Sequence, residues 1–378
     1  MGQSVSGDIY YETALTSWLV NLFEEQIIPY RVQEVSPGRA NVIALCRAPG
    51  ATKTILLDAH QDTVPVEGMT IPPFEPTEKE GRIYGRGACD VKGGMAAMLS
   101  AFLRLCKADN PPANHVLLSL SCDEEATLGG IQSLADDWLK TATHPVDVDP
   151  LLYQRPDIAI IAEPTELDVI NAHKGVVRWK IVTSGRACHS SVPDQGTNAI
   201  YRMGQVLRVL EDYAQLLPTI AEAHPRLGPA TISVGVIKGG ASVNIVADHC
   251  EIEIDRRLIP GEEGDAARQN LFEYLNSQLD FEIEFTEPWV NVPPLADADN
   301  GQLCSNLLKT IEPIAGSHNE IAVPFGTHAS PIAAAGVPSV VFGPGSIAQA
   351  HTKDEWIEIE QLEQATEIYY QFCLQSHA

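Results

Sequence analysis

The chain has 378 residues, 44% of them hydrophobic and 20% charged, more apolar material than one core usually holds; two domains are expected and a disordered chain is excluded. Fifty acidic residues against 25 basic ones leave a formal net charge of -25, which repels phosphate backbones and anionic lipid and argues against nucleic acid or a membrane as partner. The eight cysteines form no C-x-x-C pair and follow no recognisable secretory signal, so free thiols in a reducing, cytoplasmic compartment are expected. No apolar run reaches transmembrane length, and the start Met1-Gly2-Gln3-Ser4-Val5-Ser6 fits the loose N-myristoylation pattern, a signal too short to carry weight.

In chain order, Thr13 to Phe23 reads as an amphipathic helix. Lys53 to Asp62 is a short continuous apolar run that ends in polar residues, as a strand buried on both faces would. From Gly94, Met95, Met98, Leu99, Phe102 and Leu103 recur at helical spacing; Val116 to Glu125 and Ile158 to Pro164 are two more buried-strand runs. This βαβ rhythm predicts an α/β domain with a mostly parallel sheet flanked by helices.

The rhythm changes after Gly175. Val176 to Thr183 reads as a strand, Thr197 to Leu217 as a helix and Thr231 to Ile237 as a strand. Cys250 to Asp255 alternates apolar and acidic residues, the mark of a strand with one wet face. A helix carrying Leu271, Leu275 and Leu279 and a strand at Phe281 to Phe285 complete a β-α-β-β-α-β order, that of a ferredoxin-like α+β domain inserted into the first. The Pro-rich stretch Trp289 to Leu295 marks the return, followed by a strand at Pro338 to Phe342 and a closing helix from about Glu360. The expected division is 1–175 plus 292–378 for the first domain and 176–291 for the insert.

Three apolar runs deliver potential ligands at their C-terminal ends: His60 and Asp62, Glu124 and Glu125, and Glu163. Ligands of open α/β sheets bind outside the carboxyl ends of the strands, so these side chains should converge. Asp90, before a helix, and His351, in the loop after the last buried strand, complete a set of two imidazoles and five carboxylates. The mixture suits Zn²⁺ or a similar divalent ion, holds too many carboxylates for one tetrahedral site, and fits two metals sharing a carboxylate. Residues two apart on a strand share a face, so Asp62 is placed to orient His60, while Glu124 and Glu125 point apart if their strand continues, one toward metal and one toward a substrate water. There is no G-x-S-x-G and no G-x-G-x-x-G, and a cysteine nucleophile at Cys89 or Cys188 would leave the carboxylates without a role.

Five ordered segments, DAHQDTVPV (Asp58 to Val66), GRGACDVKGGMAAML (Gly85 to Leu99), CDEEATLGG (Cys122 to Gly130), AEPTELDVINAHKG (Ala162 to Gly175) and ACHSSVPDQGTNAI (Ala187 to Ile200), resemble the M20 metallopeptidase family. GPGSIAQAHTKDEWIEI (Gly343 to Ile359) is most similar to its acetylornithine deacetylase branch. The resemblance implies a zinc-exopeptidase-like catalytic domain and an inserted lid domain through which a homodimer forms. It implies His60, Asp90 and Glu163 on one Zn²⁺ (or Co²⁺) and Asp90, Glu125 and His351 on the other, bridged by Asp90 and a water or hydroxide. Asp62 would orient His60, Glu124 would be the general base, and His189 would reach the partner's site to stabilise the oxyanion. Asn244 and Arg257 match substrate-carboxylate positions, with the backbone around Gly343 assisting. The implied reaction is hydrolysis of an N-acyl amide on a small-molecule amino acid, with N2-acetyl-L-ornithine first, other M20 deacylase, desuccinylase or dipeptidase substrates next, and a catalytically silent binding homologue last.

The sequence departs from the family pattern in three places. The motif GTDA reads Gly326-Thr327-His328-Ala329, which puts an imidazole, His328, in the substrate pocket in place of a carboxylate. The DIRPLPG-like stretch reads Asp255-Arg256-Arg257-Leu258-Ile259-Pro260-Gly261 and leaves open which arginine faces the site. Relatives carry a further helix ahead of SVSGDIYYETALTSWL, so the first domain is expected to lack one covering element.

Overall fold

A computed structural model of the chain describes residues 11–109, 111–140, 148–220 and 222–376, so the myristoylation pattern lies outside the described residues. Two compact units emerge. One comprises the chain up to Ala172, Ala296–Ala322 and the chain from Thr327 on; the other comprises His173–Leu295 and Val323–Gly326.

The first unit opens with helix α1 (Thr13–Glu25), the hairpin β1 (Tyr30–Ser36) and β2 (Arg39–Cys46), and strand β3 (Thr54–His60). Two short strands, β4 (Thr77–Lys79) and β5 (Arg82–Tyr84), precede α2 (Lys92–Cys106), β6 (His115–Ser121), α3 (Gly129–Leu139), β7 (Ile158–Ile161) and β8 (Val169–His173). The second unit holds β9 (Gly175–Ser184), α4 (Ala199–Ile220), β10 (Thr231–Gly239), β11 (His249–Leu258), α5 (Gly264–Gln278), β12 (Glu284–Phe285) and β13 (Val290–Val292). The chain returns through α6 (Gly301–Ala315), β14 (Glu320–Val323), α7 (Ala329–Ala334), β15 (Ser339–Val341), β16 (Trp356–Glu358) and α8 (Ile359–Leu374).

The large sheet has the order β1-β2-β6-β3-β7-β15-β8-β14. Its centre, β6-β3-β7-β15, is parallel, whereas β1, β2 and β8 pair antiparallel at the flanks. Every residue of β3 is buried, as the unbroken apolar run requires. Ile55, Leu57 and Ala59 face the core closed by α1, α2, α6 and α8, through Phe23, Phe102, Leu307 and Phe372. Alternation sends Leu56 to the opposite face, and α3 and α7 pack against each other.

The second unit carries an antiparallel sheet ordered β10-β11-β9-β12 with both long helices over one face. Trp179, Ile181, Ile252 and Ile254 meet Met203, Leu210, Leu271 and Leu275 in its core. The alternate residues of β9 and β11 pair on the wet face, with Arg178 Nε 2.8 Å from Asp255 Oδ2 and Lys180 Nζ 2.8 Å from Glu251 Oε1. The strand expected over Phe281 to Phe285 shrinks to β12, and its partnering continues in β13, where Val290 to Val292 take up the register opposite Arg178 to Val176.

Candidate metal centre

Parallel register gathers the site. His60 at the end of β3 pairs with Ser121 at the end of β6, and Asp58 pairs with Ile161 at the end of β7, two residues before Glu163. One sheet edge thus receives His60, the Cys122–Leu128 turn and Glu163. The strand does not run on through Glu124 and Glu125, as the alternation argument assumed: β6 stops at Ser121, and Asp123 (φ 64°) and Leu128 (φ 58°) adopt left-handed backbone. It is a strained turn, rather than the pleat, that separates the two glutamates.

His60 is buried, with Nε2 3.1 Å from Asp90 Oδ1. Its Nδ1 lies 3.0 Å from the Asp62 backbone oxygen and 3.6 Å from Asp62 Oδ1, so the main chain is the nearer acceptor. The Asp62 carboxylate instead accepts the backbone N–H groups of Glu124 (3.0 Å) and Glu125 (3.1 Å) and fixes their turn. His351, exposed and at φ 62°, brings Nε2 to 3.1 Å from Glu125 Oε2 and 3.3 Å from Asp90 Oδ2. Ligand atoms of His60, Asp90 and Glu125 all lie within 4.8 Å of one another. Glu163 stands outside that tight group, yet near enough that Asp90 and Glu124, after burial itself, push its carboxyl well above the ordinary range. Burial likewise pushes Glu124 up to about 7.

The donors fit divalent cations. With Nδ1 of His60 donating to a carbonyl, its Nε2 lone pair confronts a carboxylate oxygen, a contact that a cation between the two relieves. Separations of 3.1 to 3.3 Å match the ~3.3 Å edge of a tetrahedron built on ~2.0 Å bonds. Asp90 spends one oxygen on each histidine, the arrangement a shared ligand needs.

Support beneath these ligands escaped the sequence reading. Glu355, fully buried, accepts from Arg86 Nη1 (2.7 Å) and from the backbone N–H of Gly87 (3.0 Å), Cys89 (2.8 Å) and Asp90 (3.0 Å), clamping the loop that presents Asp90. Arg39 ties Glu12 and Asp123 together and lies 3.5 Å from Asp62. Ser121 donates to Asp58 (2.9 Å), which also bonds His328 Nδ1 (2.8 Å). Glu355 lies in a segment that carries the family resemblance and Arg39 in a hairpin, but neither residue's type or spacing reveals its partners without the fold. Cys89 is buried and its thiol pushed far up by burial, against a nucleophilic role.

The substrate positions divide. Gly343 donates its N–H to Thr165 Oγ1 (3.1 Å) and accepts from Leu167 N–H (3.1 Å), so its backbone is already engaged. In the second unit, His189 Nδ1 is 2.7 Å from Ser191 Oγ, and Ser190 N–H donates to the Asn244 carbonyl (3.0 Å), which brings His189 and Asn244 together. Arg257, bonded to Asp255 Oδ1 at 2.7 Å, sits at the far end of β11 from that loop, eight residues beyond His249 and so ~27 Å away along the strand. Arg256 is buried on Glu262 (2.6 Å), leaving Arg257 as the more accessible arginine.

A sheet that presents His60 and clustered carboxylates at the carboxyl ends of its parallel strands, with His351 brought in by a loop, forms a candidate divalent-metal site where α/β enzymes bind ligands. The model of "Peptidase family M20/M25/M40" matches residues 56–375. An acetylornithine deacetylase of Proteus mirabilis (strain HI4320) is 33% identical over 97% of this chain and 91% of its own. A probable succinyl-diaminopimelate desuccinylase of Staphylococcus aureus (strain MSSA476) is 28% identical over 92% and 88%. The crystal structure of an M20 family metallo-carboxypeptidase from Sulfolobus solfataricus superposes with a TM-score of 0.75 at 18% identity, over 95% of this chain and 93% of that one. The chain belongs to the M20 peptidase family and is a metal-dependent amidohydrolase. No helix among the described residues is long and apolar enough to cross a membrane, and none of the eight cysteines forms a disulfide.

Proposed function

We propose that this protein hydrolyses the N-acyl amide of an amino acid, with N2-acetyl-L-ornithine, giving L-ornithine and acetate for arginine biosynthesis in the cytoplasm, as first candidate. The observation that carries the reading is Asp90, with one oxygen 3.1 Å from His60 and the other 3.3 Å from His351. On this reading His60, Asp90 and Glu163 hold one Zn²⁺ or Co²⁺, and Asp90, Glu125 and His351 hold a second. Such a pair, when bound, lowers the pKa of water and polarises the acyl carbonyl. Glu124 takes the proton of the water attacking the acyl carbon and passes it to the leaving nitrogen as the C–N bond breaks; its elevated pKa suits both transfers. Asp62 holds the Glu124–Glu125 backbone in register for this exchange.

His189 is assigned to the oxyanion and Asn244 and Arg257 to the substrate carboxylate. Because Arg257 lies ~27 Å along β11 from the His189–Asn244 end, one small substrate does not reach both within a subunit. A homodimer, in which different subunits supply the two ends, removes the difficulty. Support comes from β10, an edge strand of the second sheet that exposes Val236 and Ile237, with Val243 and Ile245 bare in the adjoining loop. A succinylated substrate is the second reading, favoured by the similarity to the desuccinylase of S. aureus.

The test is a screen of N-acetyl, N-succinyl and dipeptide substrates with zinc or cobalt supplied. Glu124→Ala is expected to keep its metal and lose at least ~10²-fold in kcat. Undiminished hydrolysis by that variant overturns the base assignment, and no hydrolysis of any N-acyl amino acid by the unaltered protein overturns the function.

A further inference from the structure

Three fully buried polar side chains, Asp58, Ser121 and His328, form a closed network in the first unit. Ser121 Oγ–H donates to Asp58 Oδ1 at 2.9 Å, and His328 Nδ1 lies 2.8 Å from Asp58 Oδ2. A carboxylate only accepts, so Nδ1 carries the hydrogen, and the neutral ring then keeps its lone pair on Nε2. That Nε2 is buried and has no partner among the described residues. An orphaned buried acceptor costs ~1–3 kcal/mol, so a partner supplied from outside the fold is expected. The ring stands edge-on to His60, centroids 6.2 Å apart, which places it beside the candidate centre.

We propose that His328 Nε2 is a specificity-determining acceptor for a hydrogen-bond donor on the substrate's amino-acid side chain, with Asp58 and Ser121 as positioning residues that fix its tautomer. This rests on the N-acyl amino acid reading. An acceptor rejects the α-carboxylate and the acyl oxygen, which themselves accept. Of the donors on an N-acyl amino acid, the scissile nitrogen receives the proton from Glu124, which leaves the side chain. Where relatives place a carboxylate, this chain places an imidazole nitrogen, so neutral donors such as a carboxamide are expected to be taken as well as an ammonium.

The experiment compares kcat/KM of the zinc-loaded protein for N-acetyl derivatives of ornithine, glutamine, norvaline and glutamate. Ornithine and glutamine are expected to exceed norvaline, which lacks the donor, by ~10-fold or more. Asp58→Asn is nearly isosteric and keeps both hydrogen bonds, but its N–H₂ group donates to Nδ1 and forces the other tautomer. It is expected to erase the donor preference and raise glutamate relative to norvaline. Nitrogen-15 spectra give a readout independent of turnover and of how Asp58→Asn folds: the unaltered protein should show His328 protonated on Nδ1, and the Nε2 resonance should move with L-ornithine but not with L-norvaline. A donor-to-norvaline ratio unchanged by Asp58→Asn, or an Nε2 resonance indifferent to ornithine, overturns the assignment while leaving the hydrolase reading intact. Failure of the unaltered protein to hydrolyse any of the four overturns both.

Discussion

Removing Glu355 should unlatch the metal centre without touching a ligand. Its carboxylate, fully buried, compensates the buried Arg86 guanidinium and accepts from three N–H groups of one loop, those of Gly87, Cys89 and Asp90, at 2.8 to 3.0 Å. Truncation to alanine strands Arg86, and breaking a buried ion pair by deleting one partner costs ~3–5 kcal/mol. Water entering the vacated space can recover part of the bonding of the three amides, so Glu355→Ala is expected to lose about 4 kcal/mol. That is a large share of the ~5–15 kcal/mol typical of folded proteins. Glu355→Gln keeps one acceptor oxygen for Cys89 and Asp90 but turns an N–H₂ group toward Arg86 and Gly87, so a loss of about 3 kcal/mol is expected. Denaturant unfolding of the zinc-loaded and the chelator-treated protein measures both, and competition with a chromophoric chelator should show metal affinity down at least ~10-fold, since the clamped loop presents Asp90. A loss under 1 kcal/mol with unchanged metal affinity refutes the clamp.

His173 is buried and burial pushes it down to about 4; because the unfolded chain takes up its proton near pH 6.5 and the native state only near 4, stability should fall by about 3 kcal/mol between those values and be unaffected above them. His173→Gln should flatten that acid limb in denaturant titrations at several pH values, and an identical limb would remove the explanation. Gly343→Ala sets a Cβ 2.7 Å from the Glu163 carbonyl oxygen, so a loss of ~1–3 kcal/mol together with weakened metal binding is expected, and a melting temperature and metal affinity both unchanged would contradict that packing. Ile237→Lys on the exposed edge strand β10 should convert a dimer to monomers in concentration-dependent sedimentation; a species of unaltered size places the interface elsewhere.

What the sequence disclosed follows from the range of the forces involved. Strand β3 was readable because burial on both faces writes an uninterrupted apolar run, and α2 because one buried stripe writes a 3.6-residue period. The β1–β2 hairpin was not: β1 is the edge strand, only partly buried, and its Arg31, Gln33 and Glu34 break any alternation, so the buried run of β2 lacked a readable partner. The same holds for β13, three residues whose place depends on the register of β9.

The ligand-type residues were legible for a related reason. Chemistry restricts what stands at the end of a parallel strand, so His60 and Glu163 announce themselves by type and position. Residues that act on those ligands carry no such mark, because any acid at the right point in space serves. Glu355 reaches Asp90 across 265 residues and Arg39 reaches Asp123 across 84, spacings that only the folded chain sets. His328 is the intermediate case. Its departure from the family motif was visible, but the compensating carboxylate, Asp58, lies 270 residues earlier and two before a ligand, where it reads as part of a strand. Backed by Asp58 and Ser121, the imidazole is held in one orientation, and under the role proposed for it the consequence is selectivity among substrates rather than loss of catalysis.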